Sequence, residues 1–413
     1  MPSDDNSREL NLNLGLPGAD IEKPTGPVGV RSLRELLDRA SHRVIDTQAI
    51  GEDPGLAESN PYPFLALVGQ ADMKLALLLN LINPVVGGVL LVGPRGTAKT
   101  TAARSLLDIL PNVERSLCQY GCLPKDVETG GMDAVCPSCA QKFGQGEPLA
   151  RTESAQMVEL PLNSRLEDVV GGIDERASLH HRLRLKRGIL AQADQNILYV
   201  DEINLLPDEI MDAILDAAAM GKYTVRRGPM SATYRANFTL IGSMNPEEGN
   251  LRPQMLDRFG LRVIIRGLND PQERLEAYQR AVSHRINPHK IIDQYAEDTE
   301  LLRNEIAAAR QILPTVTIPE NVSKSGLELI KAIGIDSLRA EITMFEAARA
   351  YAAADNRTDV SLEDLLKVAP MALRLRQSNF IRQYIQDRLE EDKELAALMN
   401  DHLYPERKRA GQE

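Results

Sequence analysis

The stretch Gly93-Pro94-Arg95-Gly96-Thr97-Ala98-Lys99-Thr100 fits the pattern of a phosphate-binding loop with one departure, Ala98 standing where a glycine is usual. Glycines let the backbone take left-handed angles and bring its N–H groups close to phosphate oxygens. The helix that follows offers its positive end. In such a loop Lys99 reaches the β and γ phosphates and Thr100 places its hydroxyl on Mg²⁺. A chance Gly-rich turn is the competing reading, and the flanks argue against it. Gly87-Gly88-Val89-Leu90-Leu91-Val92 is a short apolar run of the kind that forms a strand buried on both faces, and Thr100 to Leu110 has helical spacing. Strand, glycine loop and helix together are the context that a phosphate loop requires.

Three further apolar runs extend this pattern. Asn196-Ile197-Leu198-Tyr199-Val200 stops at the acidic pair Asp201-Glu202, Phe238 to Met244 stops at Asn245, and Arg262-Val263-Ile264-Ile265 follows Arg258. Helical stretches such as Pro207 to Met220 lie between them, so the chain reads as an α/β three-layer core with a parallel sheet. Acids at the carboxyl end of a buried strand stand where ligands bind in open α/β sheets. Asp201 there holds the water shell of Mg²⁺, and Glu202 orients and polarises an attacking water. Solvated charge is the blander reading of such a pair, and a turn before proline is the blander reading of Asn245. Beyond about residue 270 the strands cease. The stretches Pro271 to Ala281, Asp298 to Ile312, Val322 to Ile333, Leu338 to Ala354, Leu362 to Leu373 and Ser378 to Met399 predict a separate all-helical domain.

The chain has 413 residues, 43 % hydrophobic and 26 % charged, which suits a soluble globular protein of two or three domains. Its net charge of −11 and shortage of aromatic residues argue against a nucleic-acid-coating role. No apolar run is long enough to span a membrane, and the polar, acidic start resembles neither a secretory signal nor a transit peptide, so a cytoplasmic protein is expected. Residues 1–58, with Pro17, Pro24, Pro27 and Pro54, read as a flexible extension with one short amphipathic stretch. All four cysteines fall in Cys118-x3-Cys122-x13-Cys136-x2-Cys139, the count and spacing of a tetrahedral thiolate site. Zinc is the first candidate for it, an iron–sulfur cluster the second, and a pair of reduced thiol pairs the alternative without metal. Four protein ligands leave no open position, so a structural role is expected.

Several long motifs, in order, closely resemble the AAA+ ATPase subunit I family of magnesium chelatase. They are Tyr62-Pro63-Phe64 with Val68-Gly69-Gln70, Leu77 to Asn83 with Gly87-Gly88-Val89-Leu90, Ile197 to Leu206, and Asn245 to Gly249 with Leu251 to Gly260. The resemblance covers about residues 60–380. It implies an AAA+ domain over 59–270 with a four-cysteine insertion (118–139), a helix insert (164–195) and a hairpin before the first sensor (222–235), a helical lid over 271–380, and a helical tail over 381–413. It also implies a nucleotide cradled by Gly93 to Thr101 with Val68, Asn245 as the sensor of the γ phosphate, Arg258 as the arginine finger lent to a neighbouring subunit, and Arg339 as the second sensor. The implied assembly is a hexameric ring that hydrolyses ATP with Mg²⁺. It would drive two further chelatase subunits, one carrying an A-domain and one large and porphyrin-binding, to insert Mg²⁺ into protoporphyrin IX. Some bacterial chelatase-like ATPases resemble this chain in having such cysteines. The inserts carry a basic cluster, His180, His181, Arg182, Arg184, Lys186 and Arg187, expected to form a contact surface. The rival function is that of a MoxR-like remodelling chaperone working on a von Willebrand A-domain partner.

Overall fold

A computed structural model describes residues 61–173, 185–228, 230–249 and 251–376. The extension 1–58, the tail 381–413, the whole of the helix expected from Ser378 to Met399, and His180, His181, Arg182 and Arg184 of the basic cluster lie outside the described residues.

Nine strands are described: β1 Val89–Val92, β2 Val113–Ser116, β3 Ala150–Glu153, β4 Met157–Leu160, β5 Ile197–Val200, β6 Lys222–Arg227, β7 Met230–Arg235, β8 Thr239–Met244 and β9 Leu261–Ile264. Five of them form one parallel sheet in the order β4-β5-β8-β1-β9. β1 and β5 are buried along their whole length, as unbroken apolar runs sandwiched between helical layers should be. Their side chains divide by alternation. Val89, Leu91, Ile197 and Tyr199 join the apolar cluster on one face, while Leu90, Val92, Leu198 and Val200 join the cluster on the other. The second face is covered by helix Asp208–Met220 and helix Pro253–Arg258, the first by helix Ala71–Ile82, helix Lys99–Ser105 and the helices beyond residue 270.

Register places the site. Val92 lies opposite Met244 and Ile264, and Val200 lies opposite Gly242. Gly93, Asp201 and Asn245 therefore leave the sheet at one edge. β8 runs between β1 and β5, so the segment that ends at Asn245 separates the glycine loop from the acidic pair. A crevice at the carboxyl ends of strands drawn from non-adjacent parts of the chain is where open α/β sheets bind ligands.

Helices Pro271–Ile286, Pro288–Ile312, Glu320–Ile333, Leu338–Ala354 and Leu362–Leu373 make the remainder. Their starts are written in the sequence: Asp270 and Asn287 cap the first two ahead of a proline, and Ser361 and Asp364 form a capping box on the last. Buried alanines at 340, 347, 348, 350, 352 and 353 let helix Leu338–Ala354 approach its neighbours closely. The last four of these helices share one continuous apolar cluster with helix Ala71–Ile82 and the sheet. Polar ties reinforce the contact: Asn83 Nδ2 donates to Glu346 Oε2 at 2.7 Å, and Arg310 Nη2 donates to the Leu81 carbonyl at 2.7 Å. From helix Pro288–Ile312 onward the helical region is thus packed on the α/β core and is not hung from it by a bare linker.

Two smaller pairs stand outside the sheet. β2 and β3 are antiparallel and bracket the cysteine segment, and β6 and β7 form the hairpin that precedes β8.

Candidate nucleotide site

The glycine loop is shaped by close packing at one end and by left-handed backbone at the other. Gly93 donates its N–H to the Met244 carbonyl at 3.1 Å, and a Cβ on Gly93 would lie 2.5 Å from the carbonyl oxygen of Ile265, so no larger residue fits there. Gly96 has φ of +77° and Ala98 has φ of +62° at the start of helix Lys99–Ser105. Ala98 therefore adopts the conformation for which glycine is the usual choice, at a cost of about 1 kcal/mol. The loop keeps its path despite the departure in its sequence. Lys99 Nζ donates to the carbonyls of Gly93 and Pro94, each at 2.7 Å, and burial lowers its pKa while Asp201, Glu202 and Glu248 work in the opposite direction.

Across the edge, a chain of hydroxyls joins the loop to the acids. Thr100 Oγ1 lies 3.0 Å from Tyr199 Oη, Tyr199 Oη donates to Asp201 Oδ1 at 3.1 Å, and Ser243 Oγ donates to the same oxygen. Burial, ahead of the neighbouring carboxylate, pushes the Tyr199 phenol up to about 12, so it stays a hydrogen-bond donor at neutral pH. Glu202 has φ of +46° and donates its N–H to Ser243 Oγ at 3.3 Å. A non-glycine residue held there is strained backbone, and such strain concentrates at functional sites. Glu202 Oε1 pairs with Arg95 Nη2 at 3.2 Å, and the same nitrogen pairs with Glu248 Oε1 at 2.6 Å. Asn245, buried, donates to that Glu248 oxygen at 3.1 Å. Lys99, Thr100, Asp201, Glu202, Asn245 and Arg95 are thus brought to one place by three strand ends.

Sequence reading passes over three members of this network. Tyr199 is hidden inside an apolar strand, where a tyrosine reads as core. Ser243 is one residue in the run leading to Asn245, and Glu248 sits in the turn after it. Only pairing across the sheet brings them to Asp201 and Arg95.

Beside the loop a cavity of about 590 Å³ is lined by Val68, Gly96, Thr97, Ala98 and Thr101 from the core and by Arg274 and Ala277 from helix Pro271–Ile286. Its size and mixed lining suit a nucleoside. Two arginines lie elsewhere. Arg258 pairs with Asp216 at 2.7 Å and with Asp212 at 3.4 Å, and among the described residues it has no ion pair with the loop or with Asp201 and Glu202. Arg339 donates to the Asp257 carbonyl at 3.4 Å, next to Arg258, and does not line the cavity.

The four cysteines come together. Their sulfurs all lie within 4.8 Å of one another, with Cys118 and Cys136 3.6 Å apart. A hydrogen bond from Cys122 lowers the pKa of the Cys118 thiol, and burial raises that of Cys139. No helix among the described residues is long and apolar enough to cross a membrane.

With this geometry in place, comparison with known proteins assigns the family. The family model of magnesium chelatase subunit ChlI matches residues 175–266, and that of the AAA lid domain matches 327–398. A magnesium-chelatase subunit ChlI homolog of Methanocaldococcus jannaschii is 40 % identical over 323 residues, covering 77 % of this chain and 87 % of that protein. The magnesium-chelatase subunit ChlI of Synechocystis sp. is 40 % identical over 318 residues, covering 76 % of this chain and 88 % of its own. In fold, the crystal structure of a putative ATPase from Cytophaga hutchinsonii is similar over 79 % of this chain and 90 % of that one, with a TM-score of 0.50 at 21 % identity. A parallel sheet with its glycine loop and strand-end acids, a helical lid, and extended identity to two such relatives make this chain a member of the magnesium-chelatase ChlI family of AAA+ ATPases.

Proposed function

We propose that this chain is the ATP-hydrolysing motor subunit of a magnesium-chelatase-type complex, driving a partner subunit to insert Mg²⁺ into protoporphyrin IX. The observation that carries the reading is the meeting of Lys99 and Thr100, Asp201 and Glu202, and Asn245 at one sheet edge in a chain of this family. Within the site, Val68 and Thr101 hold the nucleoside side, the Gly93 to Ala98 backbone cradles phosphate oxygens, and Lys99 turns from the Gly93 and Pro94 carbonyls to the β and γ phosphates. Thr100 and Asp201 offer the hard oxygen donors that Mg²⁺ prefers, so the residues fit that ion. Bound Mg²⁺ neutralises charge on the phosphates. Glu202 orients the attacking water, and Asn245 reads the γ phosphate. Arg258 has no partner in its own subunit's loop and is read as the finger that completes the site of the next subunit in a homo-hexameric ring. Arg339, beside Asp257, is read as acting on that same shared interface as the second sensor.

Tyr199 is the positioning residue of the metal pair, since its phenol spans Thr100 and Asp201. Tyr199→Phe is expected to raise the Mg²⁺ concentration needed for tight nucleotide binding by about fivefold, the loss of roughly one buried hydrogen bond. Binding in excess chelator should not change. Equal Mg²⁺ dependence in the two proteins would refute the role.

The partners are read as the A-domain chelatase subunit and the large porphyrin-binding one, in the cytoplasm, and the four cysteines as a structural zinc site. Reconstitution with those two partners, scored by Mg-porphyrin formation that requires ATP, tests the coupled reaction. ATP hydrolysis without any Mg-porphyrin product would contradict it and turn attention to protein remodelling.

A further inference from the structure

The four cysteines sit in a segment that needs a staple of its own and that also touches the β6–β7 hairpin. The segment from Leu117 to Leu149 buries only Cys122, Leu123, Val135, Cys139 and Leu149, too little apolar surface to hold a fold of this length without a staple. A tetrahedral ion with bonds of about 2.3 Å to sulfur sets its ligands about 3.8 Å apart, and the Cys118 to Cys136 separation of 3.6 Å matches. Two backbone N–H groups already point at sulfur, Tyr120 to Cys118 at 3.3 Å and Cys136 to Cys122 at 3.4 Å. Such bonds steady thiolate ligands in metal knuckles.

The knuckle between Cys118 and Cys122 is also the part that touches the β6–β7 hairpin. The Tyr120 ring stacks on Tyr234 at 5.9 Å, and the Tyr120 carbonyl accepts from the Arg235 N–H at 3.4 Å. A Cβ on Gly121 would come within 3.0 Å of the Arg235 side chain, so the two backbones meet closely. Asp126, four residues past Cys122, receives Arg235 Nη1 on both carboxylate oxygens at 2.7 Å. Every one of these contacts ends on Tyr234 or Arg235. The hairpin in turn joins two parts of the nucleotide machinery. β6 follows helix Asp208–Met220, which carries the Arg258 partners Asp212 and Asp216, and β7 leads into β8, which ends at Asn245.

We infer that an ion held by the four cysteines braces the β6–β7 hairpin through Tyr120 and Asp126, so that metal loading sets the order of the hairpin. The inference rests on the reading of the cysteines as a zinc site. Loading places the thiol protons in solvent and the ion on four sulfurs, with no change of oxidation state. Without the ion, the knuckle loses the fixed geometry that presents Tyr120, and the hairpin keeps its strand pairing and its packing on Ala191 and Val170 but loses this brace.

The test uses the full chain, as purified, after stripping with a chelator, and after return of Zn²⁺ alone, read by metal analysis and by hydrogen exchange over residues 222–235. The expected result is about one zinc per chain and an exchange rate in the hairpin that rises about tenfold on stripping and falls again on reloading, while β1 is unchanged. The paired variant Tyr120→Ala with Asp126→Asn should retain its zinc yet exchange like the stripped protein, which separates unhooking from misfolding. Less than about a fifth of an ion per chain with no Zn²⁺ uptake would overturn the metal reading itself. Full zinc content with hairpin exchange indifferent to stripping, or to the paired variant, would leave that reading standing and overturn the brace.

Discussion

Lys99→Ala is expected to remove nucleotide binding almost entirely, with an affinity loss of about a hundredfold to a thousandfold, or roughly 3 to 4 kcal/mol. Lys99 stands at the loop position expected to meet the β and γ phosphates. Its present bonds, to the carbonyls of Gly93 and Pro94, hold it over the loop. Those bonds also stabilise the loop, so alanine takes this donor from the Gly93 carbonyl and leaves the Pro94 carbonyl with Thr97 Oγ1, in addition to removing the charge. Titration with a fluorescent ATP analogue checks this, and near wild-type affinity would show that phosphate does not sit on Gly93 to Thr100. The fold should survive, because Lys99 contributes no apolar surface to either core cluster.

Glu202→Gln should separate binding from chemistry. The amide keeps the size of the side chain but cannot serve as the base that polarises water, and the expected fall in turnover is about a hundredfold to ten-thousandfold. Nucleotide affinity should stay within a few-fold of wild type, or tighten, since the Arg95 pairing that opposes rearrangement is weakened. Asp201 would behave otherwise. It receives Tyr199 and Ser243 on one oxygen and is tied to Thr100 through the phenol, so its loss should reduce Mg²⁺-dependent binding as well as turnover. Single-turnover and binding measurements on the two variants distinguish the roles. Equal effects on binding would undo the division of labour between the neighbouring acids.

The sheet and much of the site can be read from the chain because burial on both faces leaves a plain mark. Runs such as Val89 to Val92 and Ile197 to Val200 are apolar at every position, and their ends fall where expected to within two residues. β4 escapes such a reading for the converse reason. It is an edge strand, Met157 to Leu160, only partly buried and with Glu159 exposed, so neither a continuous apolar run nor a clean alternation announces it. The β2–β3 pair that brackets the cysteines escapes likewise, since its mixed residues Val113 to Ser116 and Ala150 to Glu153 lie largely outside the core. Lid helices Leu338–Ala354 and Leu362–Leu373 start where expected, whereas the second lid helix starts at Pro288, capped by Asn287, well before the expected Asp298. Their joining into one apolar cluster with the core is not legible, because periodicity gives a helix its buried face but not the neighbour that covers it. The same limit applies at the site: motifs deliver Lys99, Asp201 and Asn245, whereas Tyr199 and Ser243 enter through the register of β5 against β8, and Glu248 through the pairing of β8 with β1.

Ala98 shows how a departure from pattern is absorbed. The left-handed angle demanded of that position is unchanged, and alanine adopts it at about 1 kcal/mol of local strain. Two neighbours held in the same region of backbone space, Gln70 and Glu202, flank the cavity and the acidic pair.

The central claim is that a complete ATP site is shared, with the loop and acids from one subunit and Arg258 from the next. Mixing two variants tests it most directly. Arg258→Ala retains an intact loop and acidic pair but lends no finger, and Glu202→Gln lends an intact finger but cannot hydrolyse. Each alone should be nearly inactive. Mixed in equal amounts and allowed to reassemble, they should regain ATP hydrolysis up to about a quarter of the wild-type rate, the share of interfaces that pair an intact site with an intact finger. A mixture no more active than its components, with assembly intact, would contradict a finger supplied in trans.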